Sequence, residues 1–441
     1  MQAIDLLIDA RWVIPVHPAK CVLEDHSVAV HAGRIVSVLP RSEAHAAYSA
    51  SERVSLPAHA LIPGLVNLHT HASMALMRGL ADDMPLTRWL QERVWPAEAK
   101  YVSPQYVYDG TLLACAEMLR GGITCFNDMY FYPAEAARAV LAMGMRAALG
   151  LIVIDAPTAY ATDAVDYVAK GLALRDGLRE QPLLSFCMAP HAPYSVSDST
   201  FSRLITLAEE LDLPVHMHVH ESLDEIERSL AAHGLRPLER LRRLGLLGPN
   251  LIAVHAVHLT HEEIDLLAEN GSSVAHCPSS NLKLANGFAP VPDMLARGVN
   301  IGLGTDGSAG NNRLDMFQEM RTAALIAKAI AADAGALPAD RALSMATLDG
   351  ARALRLDHAI GSIEPGKFAD LAAVEFAAPE MLPCYDPISH IVYAAGRENV
   401  SHVWVAGRML LQTRTLKQPG KNDLENLAAL WQNRLSRETK A

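Results

Sequence analysis

The sequence predicts an α/β chain: a (β/α)8 barrel of the TIM type, with a small β-sandwich built from both chain ends. Three observations carry this. From about residue 59, apolar runs of strand length alternate with long helical segments in one repeating order, which favours a barrel over an open sheet. Residues before 59 and after 368 revert to short strands and turns. Half of the 441 residues are hydrophobic, ample for a large interior. The expected division is 1–58 for the N-terminal part of the small β-domain, 59–368 for the barrel, and 369–441 for the C-terminal part with a terminal helix.

Taken in order, Ile4 to Ile8, Trp12 to Val16, Ser27 to His31 and Arg34 to Val38 read as short strands, with no helix of useful length before residue 58. The run from Ala60 to His71 is nearly unbroken apolar sequence ending in two histidines, which fits a strand buried on both faces. Gln105 to Arg120 is apolar at helical spacing and stops at Gly121-Gly122, a glycine end. Strands then fall at Ile123 to Asp128, Arg146 to Ile154, Leu183 to Ala189, Val215 to Val219, Leu251 to Ala256, Ser273 to Ala275 and Val299 to Leu303. Helices at Ala134 to Met143, Ala164 to Leu178 and Asp198 to Leu211 lie between them. Arg341 to Arg352 reads as a helix, Gly361 to Leu371 as a turn before a strand, His402 to Arg408 as a strand entering a turn, and Asp423 to Leu435 as an amphipathic helix.

Barrel enzymes keep their chemistry at the carboxyl ends of the strands. Five such ends here carry polar groups: His69 with His71, His191, His218 with Glu221, His255, and Asp306. Side chains alternate along a strand, so His69 and His71 point the same way and can grip one ion. The strand Pro214 to Glu221 puts His216, His218 and His220 on one face, and spacing alone does not choose among them. His216 reads as core and His220 as loop; His218 is preferred because it sits three residues before Glu221. Asp306 by itself reads as a helix N-cap, but it joins histidines on strand tips after a strand whose Gly302 and Gly304 permit close backbone approach. Imidazoles and a carboxylate without thiolates suit zinc, with iron or manganese as rivals.

The formal charge of −11 gives no basic footprint for nucleic acid or an anionic membrane, and neither partner is expected. The six cysteines are scattered, suggest neither a disulfide framework nor a thiolate zinc site, and read as small apolar fillers. No signal peptide or membrane span is expected, which points to a cytoplasmic protein; a homo-oligomer is left open.

With those residues in view, the His-x-His strand, His218, His255, Gly304 to Gly307 and the closing Gly361 to Leu371 segment resemble the amidohydrolase superfamily across nearly the whole chain. His71 to Met74, Arg78-Gly79, Trp89-Leu90, Pro190 to Tyr194, His255 to Leu259 and Pro278 to Leu284 look like its 5′-methylthioadenosine/S-adenosylhomocysteine deaminases, whose relatives include triazine chlorohydrolases and guanine deaminases. The resemblance implies one divalent metal ion, zinc foremost, held by His69, His71, His218 and Asp306, with Glu221, His255 and Asp306 catalytic. It also implies ribose contact through Glu98 and purine contact through His191, beside Glu221 and Asp306. By composition alone Glu98 would be a surface carboxylate.

The implied reaction replaces the 6-amino group of an adenine nucleoside by oxygen with release of ammonia. No arginine follows Arg146 until Arg175, so a methylthio tail is expected to be preferred to a charged homocysteine tail. The rival readings are a deaminase or chlorohydrolase of another heterocycle, such as guanine or a triazine, and a non-catalytic binding protein on the same barrel.

Overall fold

A computed structural model describes residues 1–436. Eight parallel strands form the barrel in chain order: Leu65–Thr70, Ile123–Asp128, Arg146–Val153, Leu184–Pro190, Val215–Val219, Leu251–His255, Ser273–His276 and Asn300–Leu303. The first three are buried along their whole length, as strands covered on both faces must be. The interleaved helices start on side-chain caps: Ser103, Asp163, Ser197 and Thr260 each accept a backbone N–H of the first turn. The helix at Pro133–Met143 ends on Gly144, at φ +69°.

Side chains stitch the seam between the first and last strands. Asn67 Nδ2 donates to Thr305 Oγ1 at 2.7 Å, and Asn67 Oδ1 accepts the Thr305 N–H at 2.9 Å. One step further, the Asp306 N–H donates to the His69 carbonyl at 3.0 Å. Gly302 makes this approach possible, since a Cβ there would lie 2.6 Å from Leu68 Cδ2 and 2.9 Å from Gly350 Cα. The seam therefore sets Asp306 against His69.

The chain ends build a second sheet of eight strands, in the order Thr415–Leu416, Arg408–Gln412, Val400–Val405, Leu371–Glu375, Tyr48–Pro63, Gln2–Val13, Leu23–His31, Arg34–Pro40. It curls so that the turns at Gly33 and Gly407 touch, with a Cβ on Gly407 only 3.2 Å from Gly33 Cα. Leu6, Ile8, Val30, Ile35, Leu371 and Trp404 form the core inside that curl.

Several sequence expectations are corrected. The run from Ala60 to His71 is two strands in two sheets: Ala60 to Pro63 ends the long strand Tyr48–Pro63 of the end sheet, and the barrel begins at Leu65. Gly64 makes the step, because a Cβ there would fall 2.1 Å from Thr124 Oγ1. The expected boundary at residue 59 thus lies inside a strand. Ile4 to Ile8 and the start of Trp12 to Val16 fall in one strand, Gln2–Val13, which ends before Ile14, and a seven-residue helix at Arg41–Ala47 occupies a stretch expected to lack one. Arg341 to Arg352 divides into Ala339–Met345 and Leu348–Ala353. Within 369–441 the helix Pro387–Tyr393 packs on the barrel-side helices Met316–Ala331 and Ala339–Met345. Among the described residues no helix is long and apolar enough to cross a membrane.

Candidate active site

Three imidazoles turn their Nε2 atoms toward one centre because their Nδ1 atoms are tied elsewhere. His69 Nδ1 lies 2.9 Å from His216 Nε2, His71 Nδ1 lies 2.6 Å from the Met129 carbonyl, and His218 Nδ1 lies 2.7 Å from the His191 carbonyl. Such outer ties fix ring orientation and tautomer in metal-ligating histidines. On the inner side, His69 Nε2 is 3.3 Å from His218 Nε2, and Asp306 Oδ1 is 3.3 Å from the Nε2 atoms of both His69 and His71. Ligand atoms about 2.05 Å from one ion at tetrahedral angles stand roughly 3.3 Å apart, a spacing these three pairs meet; the donor atoms gather as two triads that share His69, namely His69 with His71 and Asp306, and His69 with His218 and His255.

The electrostatics agree. Burial pushes the His69 pKa down to about 3, with the neighbouring imidazoles adding to the effect against Asp306. Burial and the same neighbours push His216 and His218 well below the usual histidine value. Neutral imidazoles keep their lone pairs for a cation. Burial opposes the ionised form of Asp306, but its hydrogen bond to His69 and the nearby imidazoles win and hold its carboxyl well below the usual carboxylate range. Asp306 is no N-cap: Gly307 takes that position, and Asp306 Oδ2 accepts from Ser280 Oγ at 2.6 Å. The backbone at His255 and Asp306 is left-handed, at φ +70° and +62°. Non-glycine residues in that region store strain of about 1–3 kcal/mol each and cluster at functional sites.

His71, Glu98, His191, His218, Glu221, His255 and Asp306 all line one cavity of about 710 Å³, with His69 buried behind them. Every site residue expected from sequence is thus brought together. His255 Nε2 lies 3.7 Å from Glu221 Oε1. A His255 nitrogen also comes within 4.8 Å of those on His69 and His218, so distance alone does not set it apart from the ligands. Burial raises the Glu221 pKa, opposed by the His255 charge. Glu98 accepts from Tyr130 Oη at 2.7 Å, and burial raises its pKa as well. It is no surface carboxylate, because the helical arm of residues 86–101 lays it over the cavity.

Sequence reasoning missed several supports. Asp128 Oδ1 accepts from the Ala72 N–H at 2.7 Å and from Thr70 Oγ1 at 3.1 Å, shaping the turn that follows His71. Glu225 accepts the N–H groups of His220 and Glu221 at 3.0 and 2.8 Å; a glutamate three residues after the capping Ser222 was the available signal. His220 falls in the bend just past the strand Val215–Val219, as expected of a loop residue, but it is buried, and its Nε2 accepts the Leu238 N–H at 3.0 Å. Arg228, also unforeseen, lines the cavity while paired to Asp224 at 2.9 Å. Of the stretch Met74 to Met77, only Met74 lines the cavity.

The amidohydrolase-family profile matches residues 60–410. The chain belongs to the amidohydrolase family. Within the family it is 45% identical over 432 residues to a 5-methylthioadenosine/S-adenosylhomocysteine deaminase of Teredinibacter turnerae, covering 98% of each chain. It is 46% identical over 358 residues to a 5′-deoxyadenosine deaminase of Methanothermobacter thermautotrophicus, covering 81% of this chain and 83% of the other. Among solved structures of the family, a zinc-bound adenosine deaminase from Xanthomonas campestris superposes with a TM-score of 0.98 at 50% identity, over 99% of both chains. Together with the donor set, that neighbour supports a metal cofactor for this amidohydrolase.

Proposed function

We propose that the protein is a metal-dependent deaminase of adenine nucleosides, with 5′-methylthioadenosine preferred, adenosine accepted and S-adenosylhomocysteine weaker. The observation that carries this reading is the gathering of His71, His218, Asp306, Glu221 and His255 around one cavity of about 710 Å³, with His69 behind them shared by two close groups of candidate donors. Relatives named for adenine-nucleoside deamination, at 45–46% identity, support it.

His69, His71, His218 and Asp306 would hold one divalent ion, zinc in this reading, which makes water a nucleophile near neutral pH. Glu221 takes a proton from the attacking water and delivers it to the ring nitrogen beside C6. Its burial raises its pKa toward the working range of a general acid–base group. Water's oxygen adds to C6, His255 and Asp306 hold the new hydroxyl by hydrogen bonds, and the hydroxyl's proton passes to the amino group, so that the C6–N bond breaks, ammonia leaves and C6 becomes a carbonyl. Glu98 grips the ribose hydroxyls and His191 the purine.

The 5′ tail meets Leu86, Trp89, Leu90 and Ile154, apolar side chains suited to a methylthio group. Arg228, a cation of the cavity lining, is half exposed and paired to Asp224 at 2.9 Å, so a charged tail would compete with Asp224 for it while a methylthio tail makes no such demand. Ammonia release measured with 5′-methylthioadenosine, adenosine, S-adenosylhomocysteine and guanine tests the reading. The expected order of kcat/KM is the order given, with guanine inert; equal values for the first and third, or a preference for guanine, would contradict it.

A further inference from the structure

The segment that follows the seventh barrel strand, residues 277–286, touches three acid–base residues of the site at once. Ser280 Oγ donates to Asp306 Oδ2 at 2.6 Å, Asn281 Oδ1 lies 2.9 Å from His255 Nδ1, and Asn286 Nδ2 donates to Glu221 Oε1 at 3.0 Å. All three side chains are buried. The segment is clamped on itself, with the Asn286 N–H donating to the Asn281 carbonyl at 2.9 Å and the Asn281 N–H to the Cys277 carbonyl at 3.0 Å. From behind it is pinned by Glu319, which accepts the Ser279 N–H at 3.1 Å and Asn311 Nδ2 at 2.8 Å.

An asparagine has no proton to trade near neutral pH, but its amide has one accepting and one donating end. At 286 the donating end faces a carboxylate, which when ionised can only accept. At 281 the accepting end faces an imidazole nitrogen, so His255 Nδ1 carries a proton and donates it, and Nε2 is turned toward Glu221 at 3.7 Å. The two amides present opposite ends to the residue that moves the proton, Glu221, and to one that holds the new hydroxyl, His255.

We propose that Asn281 and Asn286 are positioning residues for the deamination, Asn281 by accepting the Nδ1 proton of His255 and Asn286 by donating to the Glu221 carboxylate. This rests on the proposed deaminase activity. Outer hydrogen-bond partners of catalytic groups typically carry 10- to 100-fold in activity.

The test uses isosteric and truncating substitutions at both positions in the metal-loaded enzyme, with 5′-methylthioadenosine as substrate. Asn281→Asp keeps an acceptor for His255 and should turn over faster than Asn281→Ala, whose kcat should fall about 10- to 100-fold. Asn286→Asp replaces the donor with a second carboxylate against Glu221 and should turn over more slowly than Asn286→Ala. KM should stay within about threefold of wild type in all four, because the interactions act on the reacting groups and not on the ground-state complex.

A packing role predicts that Asp, the closer isostere, outperforms Ala at both positions, and that ranking would overturn the proposal. Should Asn286→Asp fail to fold, the Glu221→Gln background decides. There Asn286→Ala should cost less than about twofold further, since its target is already gone, whereas an undiminished loss would contradict the proposal. A wild-type enzyme that releases no ammonia from any adenine nucleoside overturns the deaminase reading and this proposal together. Ammonia release with the same ranking at 281 and 286 overturns the positioning alone.

Discussion

Glu221 is held from three directions: Glu225 takes its backbone N–H at 2.8 Å, Asn286 donates to its Oε1 at 3.0 Å, and His255 Nε2 stands 3.7 Å away. None of these contacts involves the four residues proposed to hold the metal, so the proposed proton handling and metal binding are separable. Glu221→Gln should therefore retain its ion and lose about 10²-fold or more in kcat. Metal analysis beside steady-state rates checks this, and loss of the ion would contradict the assignment. Glu98 makes a second residue-scale prediction, because a hydrogen bond to a charged group is worth about 1.5–3 kcal/mol. Glu98→Ala should raise KM for 5′-methylthioadenosine by roughly 10- to 150-fold, with little effect on whatever binding free adenine shows. At this scale the metal and acid–base candidates were legible because histidine and carboxylate at strand tips announce chemistry. Asn281 and Asn286 were not, since an amide gains its meaning only from the end it presents to a neighbour.

The helix Met316–Ala331 supports the site through Glu319, whose pKa burial pushes up to about 7. The unfolded chain would release that proton at an ordinary carboxylate value near 4.5, so the folded state is favoured below that pH and loses stability as pH rises toward 7. The loss is about 3 kcal/mol at most. Relative to wild type, Glu319→Gln should gain stability as the pH is raised from about 5 to 8, read from denaturant midpoints. A pH-independent difference would show that Glu319 is not the titrating group. At this scale the sequence was readable where an element was long and its period clean, as in the barrel strands and the helix Pro104–Arg120. It failed where two sheets shared one apolar run: nothing in Ala60 to His71 marks Gly64 as a junction until Thr124 is seen against it. The arm of residues 86–101 was also invisible, because its helical turns change width and carry mixed polar and apolar side chains. That is why Glu98 looked like a surface residue.

Across the whole molecule the barrel and the end sheet are joined by a buried ion pair, Arg146 Nε to Asp370 Oδ2 at 2.8 Å. Asp370 also accepts the Ala406 N–H at 2.7 Å, and its carbonyl accepts the Gly64 N–H at 2.8 Å, so it sits where the first barrel strand leaves the end sheet. Arg146→Ala would strand a carboxylate in the interior and should cost about 3–5 kcal/mol in unfolding experiments, while Arg146→Ala with Asp370→Ala should recover part of it. Both chain ends read as strand-rich in the sequence, but their joining through this pair depends on partners more than two hundred residues apart, beyond any local pattern. In the proposed reading, a metal ion held by His69, His71, His218 and Asp306 makes the cavity a deaminase site. The most direct test strips the purified protein with a chelator, then measures ammonia release from 5′-methylthioadenosine as zinc is added back. Activity should disappear on stripping and return at about one ion per chain in wild type, with His69→Ala neither retaining the ion nor recovering. Full activity in the stripped enzyme, or a zinc-loaded His69→Ala as active as wild type, would contradict it.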